Sequence, residues 1–212
     1  MNPERPSIHI EWNEMPQDLF DQIREKLWTY TVSVFAVEDR RPRYAGTATC
    51  VAAGGASHLL TAAHVWQAVR GHSLALSLES ERLLVEIPKR IVEPRLLADG
   101  VGSEWGPDLA LLRLPDLYAR DIGITKAFYN LDRRRPEAVQ GPPRHDAGVW
   151  AVIGAPGEQS TFDAHEAVLR TTVFASGIVN RSERDEWDYL DLSFDHQGRP
   201  DLPESYGGLS GS

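Results

Sequence analysis

The chain has 212 residues, room for one large domain or two small ones, and 42% of them are hydrophobic, which excludes a disordered polymer. Its 22 Lys and Arg stand against 31 Asp and Glu, a formal net charge of −9, so no general attraction to nucleic acid or to an anionic membrane is expected. The single cysteine, Cys50, excludes an internal disulfide and suits a reducing compartment, and no stretch approaches the ~18 apolar residues of a membrane-crossing helix.

The first 20 residues carry Glu4, Glu11, Glu14 and Asp18 and no apolar run, unlike a secretory signal, so a cytoplasmic location is expected. Between Pro16 and Trp28, the residues Leu19, Phe20, Ile23 and Leu27 form one apolar helical stripe. Asn13 is a candidate cap for this helix, and Pro16 suits its first turn. Residues 29–37 (TYTVSVFAV) alternate and are rich in β-branched and aromatic side chains, which predicts a strand. Residues 43–53, 73–78, 82–87 and 108–114 predict further short strands, separated by Gly, Pro or charged residues. Between them only residues 62–69 read as helical, and that helix is short. Residues 132–146 (DRRRPEAVQGPPRHD) hold three Pro, one Gly and three consecutive Arg, and read as a linker. Strands are then predicted over 149–153, 167–179 and 187–194. Many short strands with few helices indicate an all-β protein, and the linker divides it into two β-units.

Three short motifs carry the candidate chemistry. Leu60-Thr61-Ala62-Ala63-His64 places a histidine after an apolar strand and a run of small residues. Gly106-Pro107-Asp108 opens a second apolar strand with a carboxylate. Gly207-Gly208-Leu209-Ser210-Gly211-Ser212 sets a serine between glycines, whose backbone can turn N–H groups inward. Taken singly, each has a plain structural reading: a core histidine, a turn carboxylate, a flexible turn. In the order His, Asp, Ser they fit one chemistry. An alcohol needs a base, the imidazole base needs a carboxylate to orient it, and the resulting oxyanion needs fixed N–H donors.

At these residues the chain resembles the chymotrypsin-like (trypsin-like) serine peptidases of bacterial, intracellular type. The resemblance rests on TAAH at 61–64, DLALLRL at 108–114 and GGLSGS at 207–212. It is supported by Val152-Ile153-Gly154-Ala155-Pro156-Gly157 and Ser176-Gly177-Ile178-Val179, which are similar to strands of the family's second barrel. It implies Ser210 as nucleophile, His64 as general base then acid, Asp108 as its orienting carboxylate, and the N–H groups of Gly208 and Ser210 as the oxyanion hole. It also implies two six-stranded antiparallel β-barrels, no metal and no cofactor. The expected units are a helical extension (1–28), a first barrel with His64 and Asp108 (29–131), a linker (132–146) and a second barrel (147–212).

The chain departs from the family's secreted members in two places, and a third position bears on specificity. Leu209 stands where digestive members carry the Asp that pairs with a freshly cut N-terminus, so activation by N-terminal trimming is not expected. Val65 stands where those members have the cysteine that would pair with one near Cys50, so Cys50 is expected to be a small buried apolar residue. Glu204, six residues before Ser210, falls where the family places the floor of the specificity pocket. An acid there would favour Arg or Lys in the substrate; a solvated loop acid is the alternative. The chain stops two residues after Ser210, and a further C-terminal segment of the same polypeptide is expected to complete the second barrel. The expected partner is a protein or peptide substrate. Two alternatives stay open: a non-catalytic binding or sensing module on the same fold, and an esterase using the same triad. No HExxH, paired-Cys or GxxxxGK[ST] motif is present, and His9, His58, His72, His145, His165 and His196 show no ligand spacing.

Overall fold

The computed structural model describes residues 16–78, 84–88, 90–99, 107–141 and 150–155, and strand residues 161–162, 167–168, 172–176, 179–184 and 187–192. Among them the chain is mostly antiparallel β-structure with a few helices. Helix α1 (Gln17–Trp28) follows Pro16, which occupies the cap position itself, and the Pro16 carbonyl accepts the N–H groups of Leu19 and Phe20 at 3.1 Å. Asp18 in the first turn and Lys26 in the last both complement the helix dipole. At its far end, the Thr29 and Thr31 hydroxyls donate to the carbonyls of Glu25 (2.8 Å) and Leu27 (2.9 Å), so the strand starts two residues later than its composition suggests.

Eight strands form the first sheet. They are β1 (Thr31–Glu38), β2 (Arg41–Ala53), β3 (Ala56–Thr61), β4 (Ser73–Ser77), β5 (Leu84–Ile87), β6 (Glu93–Asp99), β7 (Asp108–Arg113) and the short β8 (Tyr129–Asn130). Seven run antiparallel in the order β5-β4-β1-β2-β3-β7-β6, and β8 pairs parallel with β2. Two-residue turns close the first two hairpins. Asp39 and Arg40 join β1 to β2 with φ of 48° and 64°; Gly54 and Gly55 join β2 to β3 with φ of 58° and 74°. Such turns match the natural strand twist but place both residues in the left-handed region, where only Gly is unstrained.

Alternation sets the core. Val32, Val34 and Ala36 of β1 point to one side with Ala48 and Cys50 of β2, Leu59 of β3, Leu74 and Leu76 of β4 and Leu112 of β7. Helices α2 (Ala63–Val69) and α3 (Asp116–Gly123) close this core with Ala63, Val65, Val69 and Ile122. The opposite face of β1 is buried too, at Thr31, Ser33 and Phe35. Helix α4 (Leu131–Gln140) and the later strands follow: β9 (Trp150–Gly154), β10 (Thr161–Phe162), β11 (Ala167–Val168), β12 (Thr172–Ser176), β13 (Val179–Arg184) and β14 (Trp187–Leu192). They pair antiparallel as β9–β12, β10–β11 and β13–β14, and β9 packs against α1 and β1.

Helix α1 is bound into this assembly rather than hanging from it. Lys126, only 4% exposed, donates from Nζ to the Trp28 carbonyl at 2.8 Å and sits 3.6 Å from the Trp28 ring centroid. The carbonyl and the ring face replace the water that the buried ammonium has lost. Next to it, the Ala127 N–H donates to Thr29 O at 2.9 Å.

Two expectations are corrected, and two elements lie outside the sequence reading. The segment read as a linker is helical over 131–140, because Asn130 Oδ1 accepts the Arg133 N–H at 2.8 Å and caps a glycine-free run, in which Pro136 is tolerated. Helix α3 buries Ile122 and packs Tyr118 and Ala119 against the core. Strand β6 is an edge strand carrying Pro94, and its alternation is broken by an extra residue at Leu97. The run 167–179 is divided between β11, β12 and the start of β13. The two turns supply a paired test. Arg40→Gly is expected to raise the unfolding free energy by about 0.5–1 kcal/mol, and Gly55→Ala to lower it by about 1 kcal/mol, both read by urea denaturation.

Candidate active site

Strands β3 and β7 lie side by side, and their register brings two distant residues together. His58 pairs with Arg113, Leu59 with Leu112, Leu60 with Leu111 and Thr61 with Ala110. β3 runs out of the sheet at the end where β7 begins. Two places beyond Ala110 along β7 is Asp108, and beyond Thr61 the chain enters α2 with His64 in its first turn. Residues 44 apart in the sequence therefore meet. Asp108 also shares a strand face with the buried Ala110 and Leu112, so it points inward; a one-residue slip would send it to solvent.

The small residues of the histidine motif have a packing reason. Ala62 and Ala63 are 6% and 0% exposed where α2 starts across the sheet, and a larger side chain there would overfill the core. Thr61, fully buried, donates its hydroxyl to Thr47 O at 2.7 Å and ties the end of β3 to β2.

Asp108 holds His64 with both oxygens. Oδ1 accepts the His64 backbone N–H at 3.0 Å, one of the donors that the first turn of α2 cannot satisfy internally. Oδ2 pairs with the ring at Nδ1. A carboxylate only accepts, so Nδ1 carries the hydrogen and the neutral ring keeps its lone pair on Nε2. The backbone contact fixes where the carboxylate lies, and the ring contact fixes tautomer and orientation. The His64 side chain is 55% exposed, so the ring stays open to a reacting group.

The other described histidines have structural partners. His58 Nδ1 lies 3.1 Å from Ala56 O; partial burial, against that hydrogen bond and together with nearby Arg113, holds its pKa below the usual value. His72 Nε2 lies 3.2 Å from Glu38 Oε1, which also accepts from Arg43. Ser210, Gly208, Leu209 and Glu204 lie outside the described residues, so two of the three expected triad members are brought together here. Among the described residues no group of three His, Cys, Asp or Glu could hold a metal ion, and no helix is long and apolar enough to cross a membrane. A cleft of about 250 Å³ opens between α1 and β9, lined by Leu27, Tyr30, Tyr129 and Val152 among others; neither His64 nor Asp108 lines it.

Cys50 is fully buried, as its sequence setting suggests, and burial pushes its thiol up to about 12, only partly offset by the Lys126 charge. Only the thiolate reacts readily with disulfide reagents. Native protein at pH 8 is therefore expected to leave Cys50 unmodified by an aromatic disulfide reagent, while protein unfolded in urea reacts with one equivalent.

Comparison with protein-family models finds no match for the chain, and comparison with curated proteins finds none either.

Proposed function

We propose that this chain is a trypsin-like serine endopeptidase with two β-barrels and the active site between them, acting in the cytoplasm on protein or peptide substrates. The observation that carries this reading is the two-oxygen grip of Asp108 on His64, which orients a half-exposed ring and sets its tautomer. A histidine that served the core alone would not need its ring exposed and its tautomer set.

In this reading Ser210 Oγ passes its proton to His64 Nε2 while attacking the scissile carbonyl carbon. The carbonyl electron pair moves to oxygen, and the N–H groups of Gly208 and Ser210 receive the oxyanion. As the C–N bond breaks, His64 returns the proton to the leaving amine. Water then attacks the Ser210 ester by the same route and frees the acid. Asp108 stays ionised throughout and stabilises the charged ring. Glu204 would select Arg or Lys before the cut. The chain's residues do all of this without a cofactor.

A fluorophosphonate probe tests the proposal. One equivalent is expected to attach to the wild type and none to Ser210→Ala. An unlabelled wild type with a native unfolding transition favours the non-catalytic module, and turnover of esters with none of peptides favours the esterase. Asp108→Asn keeps the shape but presents an amide that favours the wrong tautomer. It is expected to lower the labelling rate by about 10³–10⁴-fold with the fold retained, measured beside circular dichroism.

A further inference from the structure

The inner side of the first sheet is its core; the opposite side carries a hydrogen-bonded chain that reaches the second half of the molecule. Tyr44 on β2 sits opposite Phe35 on β1, their rings edge to face at 5.6 Å. The Tyr44 hydroxyl donates to the Ala155 carbonyl at 3.0 Å, immediately after β9. It also lies 3.2 Å from Thr47 Oγ1. Tyr44 has one hydroxyl hydrogen and Ala155 O can only accept, so the Thr47 hydroxyl is the donor to Tyr44. Thr47 O in turn accepts the Thr61 hydroxyl at 2.7 Å, three residues before His64. One chain of hydrogen bonds thus runs from the stem of His64 to the first strand of the second half.

This geometry needs a backbone irregularity. Residues three apart in a regular strand point to opposite faces. Val34 pairs with Gly46 and Phe35 with Tyr44, so Ala45 is an extra residue in β2. That bulge turns Tyr44 back to the face of Thr47. Ala155 and Thr47 are each 1% exposed and Tyr44 is half-buried, so the ends of the chain are withdrawn from water and the Thr47 and Tyr44 hydroxyls reinforce each other's bonds. Burial also holds the Tyr44 phenol above its usual pKa, against the opposing pull of Thr47 and Ala155, so its proton stays in place around neutrality.

We propose that Tyr44 is a positioning residue that sets the second half of the chain, which carries the Ser210 motif, in place against His64 through Thr47 and Thr61. The inference rests on the proposed peptidase reading, since its effect is on the alignment of Ser210 with the base. Small misplacements matter there: an error of about 1 Å can cost on the order of 10²-fold in rate.

The test is Tyr44→Phe, which removes one oxygen and keeps the ring on Phe35, read by fluorophosphonate labelling and by deuterium exchange over residues 150–155. The labelling rate at saturating probe is expected to fall about tenfold or more, with half-saturation and the unfolding midpoint little changed, and exchange over 150–155 to rise. Thr47→Val should act in the same direction, and Thr47→Ser, which keeps the hydroxyl, should restore the wild-type rate. A Tyr44→Phe rate equal to wild type overturns the positioning role alone. A fall that merely tracks loss of folded protein overturns it as well. Unchanged exchange over 150–155 overturns the clamp, and this measurement needs no activity. A wild type that is never labelled overturns the peptidase reading and, with it, the role assigned to Tyr44.

Discussion

The structure depends on the register between β3 and β7. That pairing delivers Asp108 to the point where the chain leaves β3 for α2, and the carboxylate then does two jobs. It satisfies a backbone donor that the helix start leaves unpaired, and it orients the ring of the same residue. Site and fold are therefore one arrangement. The carboxylate that anchors the start of α2 through Oδ1 keeps the imidazole tautomer through Oδ2. A change in register would remove the helix anchor and the oriented base together.

The surroundings protect that arrangement. Core residues from six strands hold β3 and β7 at fixed spacing, and the alanines before His64 let α2 lie close over them. Helix α1 is tied to the segment after α3 by the Lys126 ammonium on Trp28. The face of β1 away from the core is buried with β9 close by, and there Tyr44 meets Ala155. The two sides of the sheet thus have different tasks. One is an apolar core that builds the His64 platform; the other is a polar seam toward the second half.

Much of this was legible in the residues. The alternation of 29–37, the apolar run of 108–114 and the small run before His64 each express one local rule, and each rule holds in the fold. Burial of Cys50 followed from its apolar strand. The readings that failed did so for physical reasons. Asn130 capped a helix where Pro and Arg suggested a linker. An extra residue at Leu97 broke the period of β6. Nothing in the composition marks Tyr44 and Thr47, because their shared face exists only through the bulge at Ala45. The His64–Asp108 pair was legible as chemistry before it was legible as geometry. Neither residue type signalled a site alone; the order and the strand contexts did.

The most direct measurement of the central claim is the nitrogen-15 NMR spectrum of the His64 ring, taken where the ring is neutral and compared with Asp108→Asn. The account predicts hydrogen on Nδ1, an unprotonated Nε2, and loss of that preference in Asp108→Asn with the remaining spectrum preserved. Hydrogen on Nε2 in the wild type, or a tautomer indifferent to Asp108, would contradict it.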